Sequence, residues 1–206
     1  MPSASIVLVR HGEVDDPGHV VYADLDGFGL SERGRRQALD LADRLAAEPI
    51  GRIVTSPLLR ARETAEPLAR RIGISPVVED RLTEWGLTRR WAGTPWEAVP
   101  ERFPGELEAY LSDPTDLPFA PESLEALAER MVEAIGDHLV DGVTVFVSHQ
   151  DPIQAARLVL VGRPLAELHD DKPDHASPIH LERHGDRWRE VAPPHSLAAP
   201  YRAPDA

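Results

Sequence analysis

The 206-residue chain has an ordinary folded composition, with 42% hydrophobic and 28% charged residues. Its formal net charge of −13 argues against a nucleic-acid partner, because binding backbone phosphates needs clustered lysine and arginine. The absence of cysteine excludes disulfides, thiolate catalysis and cysteine-based zinc sites. No apolar run approaches the ~18–20 residues of a membrane span, and the first residues lack the pattern of a signal peptide. We therefore expect a cytoplasmic protein that does not contact a membrane.

Strands and helices alternate in the first part of the chain. The continuous apolar run at 6–9 is typical of a strand buried on both faces of a parallel sheet. Ser31 is a suitable N-cap for an amphipathic helix, and Ser56-Pro57 supplies a cap and a first-turn proline for another. The predicted elements, in order, are strand 6–9, helix 31–47, strand 53–55, helix 56–72 and edge strand 76–78.

Repeated proline and glycine break the pattern from about 84 to 121. The later predicted elements are helix 123–139, strand 143–147, helix 152–161 and hairpin strands 179–182 and 188–191. The proline-rich tail after Pro193 is expected to be an extension rather than a domain. The alternation predicts an α/β three-layer sandwich, with a mostly parallel central sheet, helices on both faces and antiparallel strands from the final hairpin. We expect a single domain over 1–206, with a small cap inserted at about 85–121.

Polar side chains follow three predicted strands, at the edge where ligands bind in open α/β sheets. These strand-end residues are Arg10, His11, Gly12 and Glu13, then Ser56 and Arg60, and then Ser148, His149, Gln150 and Asp151. A neutral imidazole nitrogen is a competent nucleophile toward phosphorus, so His11 is predicted to take a phosphoryl group from a small phosphate ester. Arginine offers a planar fork to phosphoryl oxygens. The predicted phosphate-binding residues are Arg10, Arg60 and His149, and no metal or other cofactor is expected.

The departing alcohol needs a proton, and Glu84 is the predicted donor because it follows the edge strand at the entry to the irregular segment. A walled pocket would raise the pKa of this carboxyl group toward the working pH. Gly12 is expected to let the chain turn beside the phosphate without a side chain in the way. Possible substrate contacts are Gly12, Glu13, Gln150 and His175.

Most of the aromatic residues lie in the irregular segment. They are Trp85, Trp91, Trp96, Phe103, Tyr110 and Phe119. Aromatic side chains build apolar pocket walls, which predicts a cap that contacts the organic part of the substrate. A small satellite core that holds the cap to the sheet is an equally good interpretation. The polar run from His169 to His175 could suggest a metal site, but its spacing is more typical of solvated charge.

Four segments resemble the signature of the histidine phosphatase superfamily, whose fold is phosphoglycerate-mutase-like. They are Arg-His-Gly-Glu at 10–13, Leu-Ser-x-x-Gly-x-x-Gln-Ala at 30–38, Ser-Pro-x-x-Arg-Ala-x-x-Thr-Ala at 56–65 and Ser-His at 148–149. The resemblance covers nearly the whole chain. It implies a phosphohistidine at His11 and a proton donor at Glu84. It also implies the phosphate pocket already suggested by the residues: Arg10, Arg60 and His149.

The chain departs from the family pattern at three positions. Pro17 replaces a frequent asparagine, Ala92 replaces a second glutamate, and Gln150 replaces the usual glycine after the late histidine. The segment between Glu84 and Ser123 is also shorter than the carboxylate-gripping insertion of the mutases. The resemblance therefore favours a phosphatase. A phosphoglycerate-type mutase and a catalytically silent phosphate-ligand binder are the alternatives, and the oligomeric state stays open.

Overall fold

The computed structural model describes residues 4–185 and 187–192, and within them six strands form one mixed sheet. The strands are β1 Ser5–Arg10, β2 Ile50–Thr55, β3 Val77–Val78, β4 Val143–Ser148, β5 Pro178–His184 and β6 Arg187–Val191. Their order across the sheet is β3-β2-β4-β1-β5-β6. β1 to β4 run parallel, whereas β5 pairs antiparallel with β1 and β6 antiparallel with β5. The predicted sheet is confirmed; the predicted extension after Pro193 lies outside the described residues.

Seven helices connect or flank these strands in the described part of the chain. They are α1 Glu32–Leu45, α2 Leu59–Ile72, α3 Gly86–Arg90, α4 Val99–Arg102, α5 Glu106–Ser112, α6 Leu124–His138 and α7 Gln150–Val161. Ser31 caps α1 by accepting a hydrogen bond from the Gly34 N–H, as predicted. Ser123 caps α6 in the same way. None of the helices among the described residues is long and apolar enough to cross a membrane.

The predicted start of α2 is wrong. Its N-cap is Leu58, whose side chain makes no capping hydrogen bond, and the helix begins at Leu59. The hydroxyl group of Ser56 instead lies 2.8 Å from the Nε2 atom of His149. The Ser-Pro pair therefore belongs to the loop after β2, and its hydroxyl group is used by a histidine from a different strand end.

Two apolar layers cover the two faces of the sheet. Ile6 and Leu8 of β1 face one layer, whereas Val7 and Val9 face the other, because successive side chains of a strand point to opposite faces. The first layer contains α6, α7 and the inserted segment; the second contains α1 and α2. Full burial of each such aliphatic side chain stabilises the fold by about 1.5–3 kcal/mol.

The segment predicted to be irregular contains three short helices. Two of its prolines and glycines lie at helix starts: Pro100 occupies the first turn of α4, and Gly105 takes a positive φ of 81° immediately before α5. Trp85 and Trp91 are fully buried and pack into the same layer as α6. This part of the chain is therefore joined to the main core.

Candidate active site

The parallel register of β1 and β4 brings two distant strand ends together. Arg10 is paired with Ser148, so the next residues, His11 and His149, lie side by side with ring centroids 5.3 Å apart. The His11 N–H donates to the Ser148 carbonyl oxygen at 2.9 Å. Arg60 of α2 reaches the same place from the neighbouring strand end. The structure thus brings both predicted histidines together at the carboxyl edge of the sheet.

The hydrogen bonds of His11 determine which ring nitrogen carries the proton. Its Nδ1 atom lies 2.7 Å from the Gly12 carbonyl oxygen, which can only accept, so Nδ1 carries the hydrogen. The Nε2 atom then carries the lone pair in the ring plane, which accepts a hydrogen bond from the Arg60 Nε–H at 3.2 Å. Burial first, and then the charge of Arg60, hold the pKa of His11 well below its usual value. The ring is therefore neutral and presents Nε2 to the cavity.

His149 is buried and presents a donor. The Leu58 N–H donates to the Ser56 hydroxyl oxygen at 3.3 Å, so that hydroxyl group is available to donate to His149 Nε2 at 2.8 Å. The proton of the ring then lies on Nδ1, which has no hydrogen-bond partner within the described part of the chain. Burial, followed by the charge of Arg60, lowers the pKa of His149 well below its usual value. A phosphoryl oxygen would supply the missing acceptor.

Arg60 is held between His11 and the loop that follows β1. The side chain is only 1% exposed, and one terminal N–H donates to the Ala23 carbonyl oxygen at 2.6 Å. Ala23 has a φ of 41°, in a region that non-glycine residues rarely occupy. The guanidinium carbon lies 4.7 Å from the ring centroid of Tyr22. These contacts orient the guanidinium toward His11.

Arg10 lines the same cavity from the end of β1. One terminal N–H donates to the Pro173 carbonyl oxygen at 3.2 Å. Its Nε atom is buried and lacks a hydrogen-bond partner among the described residues. Like the Nδ1 atom of His149, this N–H is a donor that an oxyanion in the cavity could satisfy.

Glu84 lines the cavity close to His149. Its Oε2 atom is 3.9 Å from His149 Nδ1, and its Oε1 atom accepts the Trp85 N–H at 2.8 Å. Burial first, and then the carboxylate of Asp151, raise the pKa of Glu84 to about 7. The carboxyl group can therefore hold a proton near neutral pH, as the sequence predicts.

Glu13 and Gly12 serve the scaffold rather than the cavity. Glu13 accepts a hydrogen bond from the Ser31 hydroxyl group at 2.7 Å and lies 3.2 Å from Arg33, so its carboxylate is bound at the start of α1. A Cβ atom on Gly12 would lie 2.8 Å from the Gly34 carbonyl oxygen. The close approach to α1 therefore requires glycine at position 12. This reason differs from the predicted one, which was to leave room for the phosphate.

Gln150 and His175 lie beside the predicted phosphate site. Gln150 lines the cavity, and its amide donates to Asp151 at 3.3 Å. The ring centroid of His175 is 5.8 Å from that of His11. Burial, followed by the charge of Arg10, lowers the pKa of His175 to about 4. Both side chains are close enough to influence what the cavity binds.

The cavity has a volume of about 170 Å³ and includes residues that the sequence did not single out. These are Val21, Tyr22, Ala23 and Thr88. Asp151 also lines the cavity; the sequence places it at the third strand end but predicts no role for it. No sequence signal points to Tyr22 or Ala23, whose loop has no regular periodicity.

The aromatic residues of the insertion fill both predicted roles. Trp96 and Tyr110 line the cavity, while Tyr110 is also part of the core and Trp96 packs against it. Trp85 and Trp91 are buried in the core, and Phe103 and Phe119 pack against it. Ala92, one of the family departures, also packs against this core. The insertion is both a wall of the cavity and a part of the core.

Acidic and histidine side chains do not converge on a metal position in the structure. Among residues 4–185 and 187–192, no group of three or more such side chains could hold a metal ion. His169 instead hydrogen-bonds to the Tyr110 carbonyl oxygen at 2.6 Å. The polar run that contains His169 therefore supports the body of the fold.

Comparisons with known proteins agree with this geometry. A family model described as the histidine phosphatase superfamily (branch 1) matches residues 6–193. Phosphoserine phosphatase 1 from Hydrogenobacter thermophilus is 32% identical over 185 residues, which cover 86% of this chain and 86% of that protein. A 2,3-bisphosphoglycerate-dependent phosphoglycerate mutase from Thermoplasma acidophilum is 32% identical over 151 residues, covering 73% of this chain and 72% of the mutase.

A solved structure is also similar over nearly the whole chain. It is a mycobacterial glucosyl-3-phosphoglycerate phosphatase in a complex with VO3. The TM-score is 0.81 at 31% sequence identity, and the match covers 91% of this chain and 97% of that one.

Proposed function

This chain belongs to the histidine phosphatase superfamily and is a phosphoric monoester hydrolase, in which we propose that the Nε2 atom of His11 accepts the phosphoryl group. The observation that carries the proposal is the hydrogen bond from His11 Nδ1–H to the Gly12 carbonyl oxygen. This bond leaves the lone pair on Nε2, in a buried ring that stays neutral at physiological pH. A neutral imidazole with a fixed orientation is the form that attacks phosphorus.

The reaction has two displacements. In the first, the Nε2 lone pair forms a bond to phosphorus while the bond from phosphorus to the alcohol oxygen breaks, and Glu84 gives its proton to that oxygen. In the second, water attacks the phosphohistidine, Glu84 takes a proton from the water, and the bond from phosphorus to Nε2 breaks. The free donors of Arg10 and His149 and the guanidinium of Arg60 would bind the phosphoryl oxygens, because phosphoryl transfer depends mainly on positioning and charge.

A mutase is the second candidate, favoured by the similarity to the Thermoplasma enzyme. Two adjacent arginines of the insertion argue against it. Arg89 pairs with Asp24 at 2.7 Å, and Arg90 pairs with Glu106 at 2.6 Å, so neither guanidinium is free to hold the carboxylate of a phosphoglycerate. A mutase would equilibrate 2- and 3-phosphoglycerate, whereas the proposed enzyme releases inorganic phosphate.

Trapping the intermediate tests the nucleophile. Wild-type protein quenched during turnover of a ³²P-labelled phosphate ester should carry an acid-labile, base-stable label. His11→Ala should lose this label and at least about 10³-fold in kcat, while His184→Ala, which removes an exposed histidine on β5, should keep both. Wild-type turnover or labelling in His11→Ala would overturn the assignment. Turnover should also persist with a chelator, since no step uses a metal.

Other expectations extend the proposal beyond the site. We expect one domain with its insertion at about 85–121, a location in the cytoplasm, and a small phosphate ester as the partner rather than nucleic acid or membrane. Limited proteolysis would test the first expectation, since one domain should be lost in a single step.

A further inference from the structure

A second acidic side chain, that of Asp151, lies near Glu84 in the wall of the cavity. Asp151 lines the cavity and is 5% exposed. The Tyr110 hydroxyl group donates to its Oδ2 atom at 3.0 Å, and the Gln150 amide donates to its Oδ1 atom at 3.3 Å. Both oxygens therefore accept a hydrogen bond from a neutral donor. Asp151 also lies in the first turn of α7, where the helix dipole favours negative charge.

Among the described residues, the Asp151 carboxylate accepts hydrogen bonds only from the neutral groups of Tyr110 and Gln150. The two guanidinium groups of the site, those of Arg10 and Arg60, are assigned to the phosphoryl oxygens. Arg89 and Arg90 of the insertion are paired with Asp24 and Glu106. A carboxylate on the substrate would therefore meet a buried carboxylate without a compensating cation, which is strongly unfavourable.

We propose that Asp151 selects phosphate esters whose alcohol part carries an ammonium or hydroxyl group and rejects those that carry a carboxylate. The inference rests on the proposed function, because it concerns the leaving group of the same reaction. An ammonium group adds charge attraction to a hydrogen bond. We therefore expect kcat/KM to be highest for esters with an ammonium group, lower for those with a hydroxyl group and lowest for those with a carboxylate. Two relatives are named for phosphoglycerate, a compound that contains a carboxylate. The proposal therefore assigns this chain a different class of substrate.

Substrates that differ only in the terminal group give the direct test. The two-carbon series is 2-aminoethyl phosphate, 2-hydroxyethyl phosphate, ethyl phosphate and phosphoglycolate, and the matching three-carbon series extends the reach by one methylene. In the better-fitting series, kcat/KM for the ammonium ester should exceed that for the carboxylate ester by at least about tenfold, as a charge-selective contact of 1.4 kcal/mol or more would give. Phosphate release is the measurement.

Asp151→Asn should reduce this ratio at least about threefold, because the amide keeps the shape and the Tyr110 contact but loses the charge. Tyr110→Phe removes the hydrogen bond and keeps the charge, so it should retain the preference. Asp43→Asn removes an exposed carboxylate on α1 and controls for net charge. The selectivity proposal is overturned if wild type hydrolyses the carboxylate ester as well as the ammonium ester, or if Asp151→Asn leaves the ratio unchanged.

The same experiment separates failure of the two proposals. If wild type turns over no ester and His11 takes no label, the proposed function itself is wrong. If it turns over every ester without discrimination, the phosphatase assignment stands and the role of Asp151 is wrong. Should Asp151→Asn fail to fold, the wild-type ranking still tests the proposal, because a carboxylate ester hydrolysed as well as the ammonium ester overturns it.

Discussion

Burial shifts the pKa values of the site's histidines and of its glutamate in opposite directions. Burial lowers the pKa of both His11 and His149 and raises the pKa of Glu84 to about 7. Each shift favours the uncharged form. At neutral pH the nucleophile is therefore unprotonated, while the acid still carries its proton in a large fraction of molecules. The proposed first displacement requires this combination of a neutral His11 ring and a protonated Glu84 carboxyl group.

These shifts predict the pH dependence of phosphoryl transfer. For an alkyl phosphate, kcat/KM should fall as the pH rises through about 7, because Glu84 loses the proton that the alcohol oxygen needs. The Glu84→Gln variant should have a much lower kcat/KM, and this value should not fall as the pH rises through about 7. Asp151→Asn should move the fall to lower pH, because the Asp151 charge raises the pKa of Glu84.

An aryl phosphate supplies the control for this profile. Its leaving group is a weaker base and needs less protonation, so Glu84→Gln should lose less activity on the aryl ester than on the alkyl ester. An equal loss on both esters would show that Glu84 is not the proton donor.

Strand-end chemistry made the main residues of the site predictable. His11 and His149 follow β-branched runs directly, and parallel strands place such ends together. The roles of Ser56 and Asp151 were missed for different reasons. The Ser-Pro pattern fits a helix cap equally well, and an aspartate in the first turn of a helix has an ordinary local explanation.

At the scale of elements, the start of α1 is fitted against the loop that carries the nucleophile. Ser31 both caps the helix and donates to Glu13. The backbone of Gly34 approaches so closely that a Cβ atom there would lie 2.0 Å from the Glu13 carbonyl oxygen. The loop after β1 therefore takes its shape from a helix that contributes no side chain to the cavity lining.

Gly34→Ala should consequently reduce both stability and activity. The new methyl group has to displace the backbone at Glu13, and overpacking of this kind costs about 1–3 kcal/mol or more in the free energy of unfolding. Gly136→Ala is the matched control, because Gly136 lies within α6 and a Cβ there meets nothing within 4 Å. That variant should be more stable by up to about 1 kcal/mol, since alanine is the better helix former.

Urea unfolding and kcat/KM measure the two effects. A Gly34→Ala protein with wild-type stability and turnover would mean that the contact between α1 and the loop has no influence on the site.

Helices with a serine cap and a regular apolar stripe were predictable within one or two residues. α1 and α6 are examples, since Ser31 and Ser123 cap them as expected. α3 to α5 are only four to seven residues long, and one turn of helix has no periodicity to detect. Their positions depend on tertiary packing, above all on Trp85 and Trp91.

At the scale of the whole molecule, the buried acid of the cavity affects stability as well as catalysis. The pKa of Glu84 in the folded protein is about 7, above its usual value of 4.5. The folded state thus binds the proton more tightly than the unfolded state. The resulting contribution to stability is fully present below pH 4.5 and is lost as the pH rises through about 7.

Glu84→Gln should therefore stabilise the protein at pH 8 relative to wild type, and the gain should shrink toward pH 5. Glutamine avoids a buried charge and can still accept the Trp85 N–H. Urea unfolding at the two pH values measures the gain, and Glu129→Gln removes an exposed charge on α6 as a control. A difference from wild type that is the same at both pH values would contradict this account.

The three layers were predictable because alternating strands and amphipathic helices have few ways to bury their apolar faces. The packing of the insertion against the main core was not predictable from the sequence. Its tryptophans could equally have lined the cavity, and only packing against α6 shows that two of them belong to the core.

The wall of the cavity has two origins, and this has an evolutionary consequence. The proposed phosphate ligands follow strands that the sheet holds in register, whereas Trp96 and Tyr110 come from the insertion. New substrates can thus be acquired by drift in a short stretch of sequence while the chemistry is inherited unchanged. Trp85 and Trp91 set the limit on such diversification, because exchanging either one would open a void in the body of the protein.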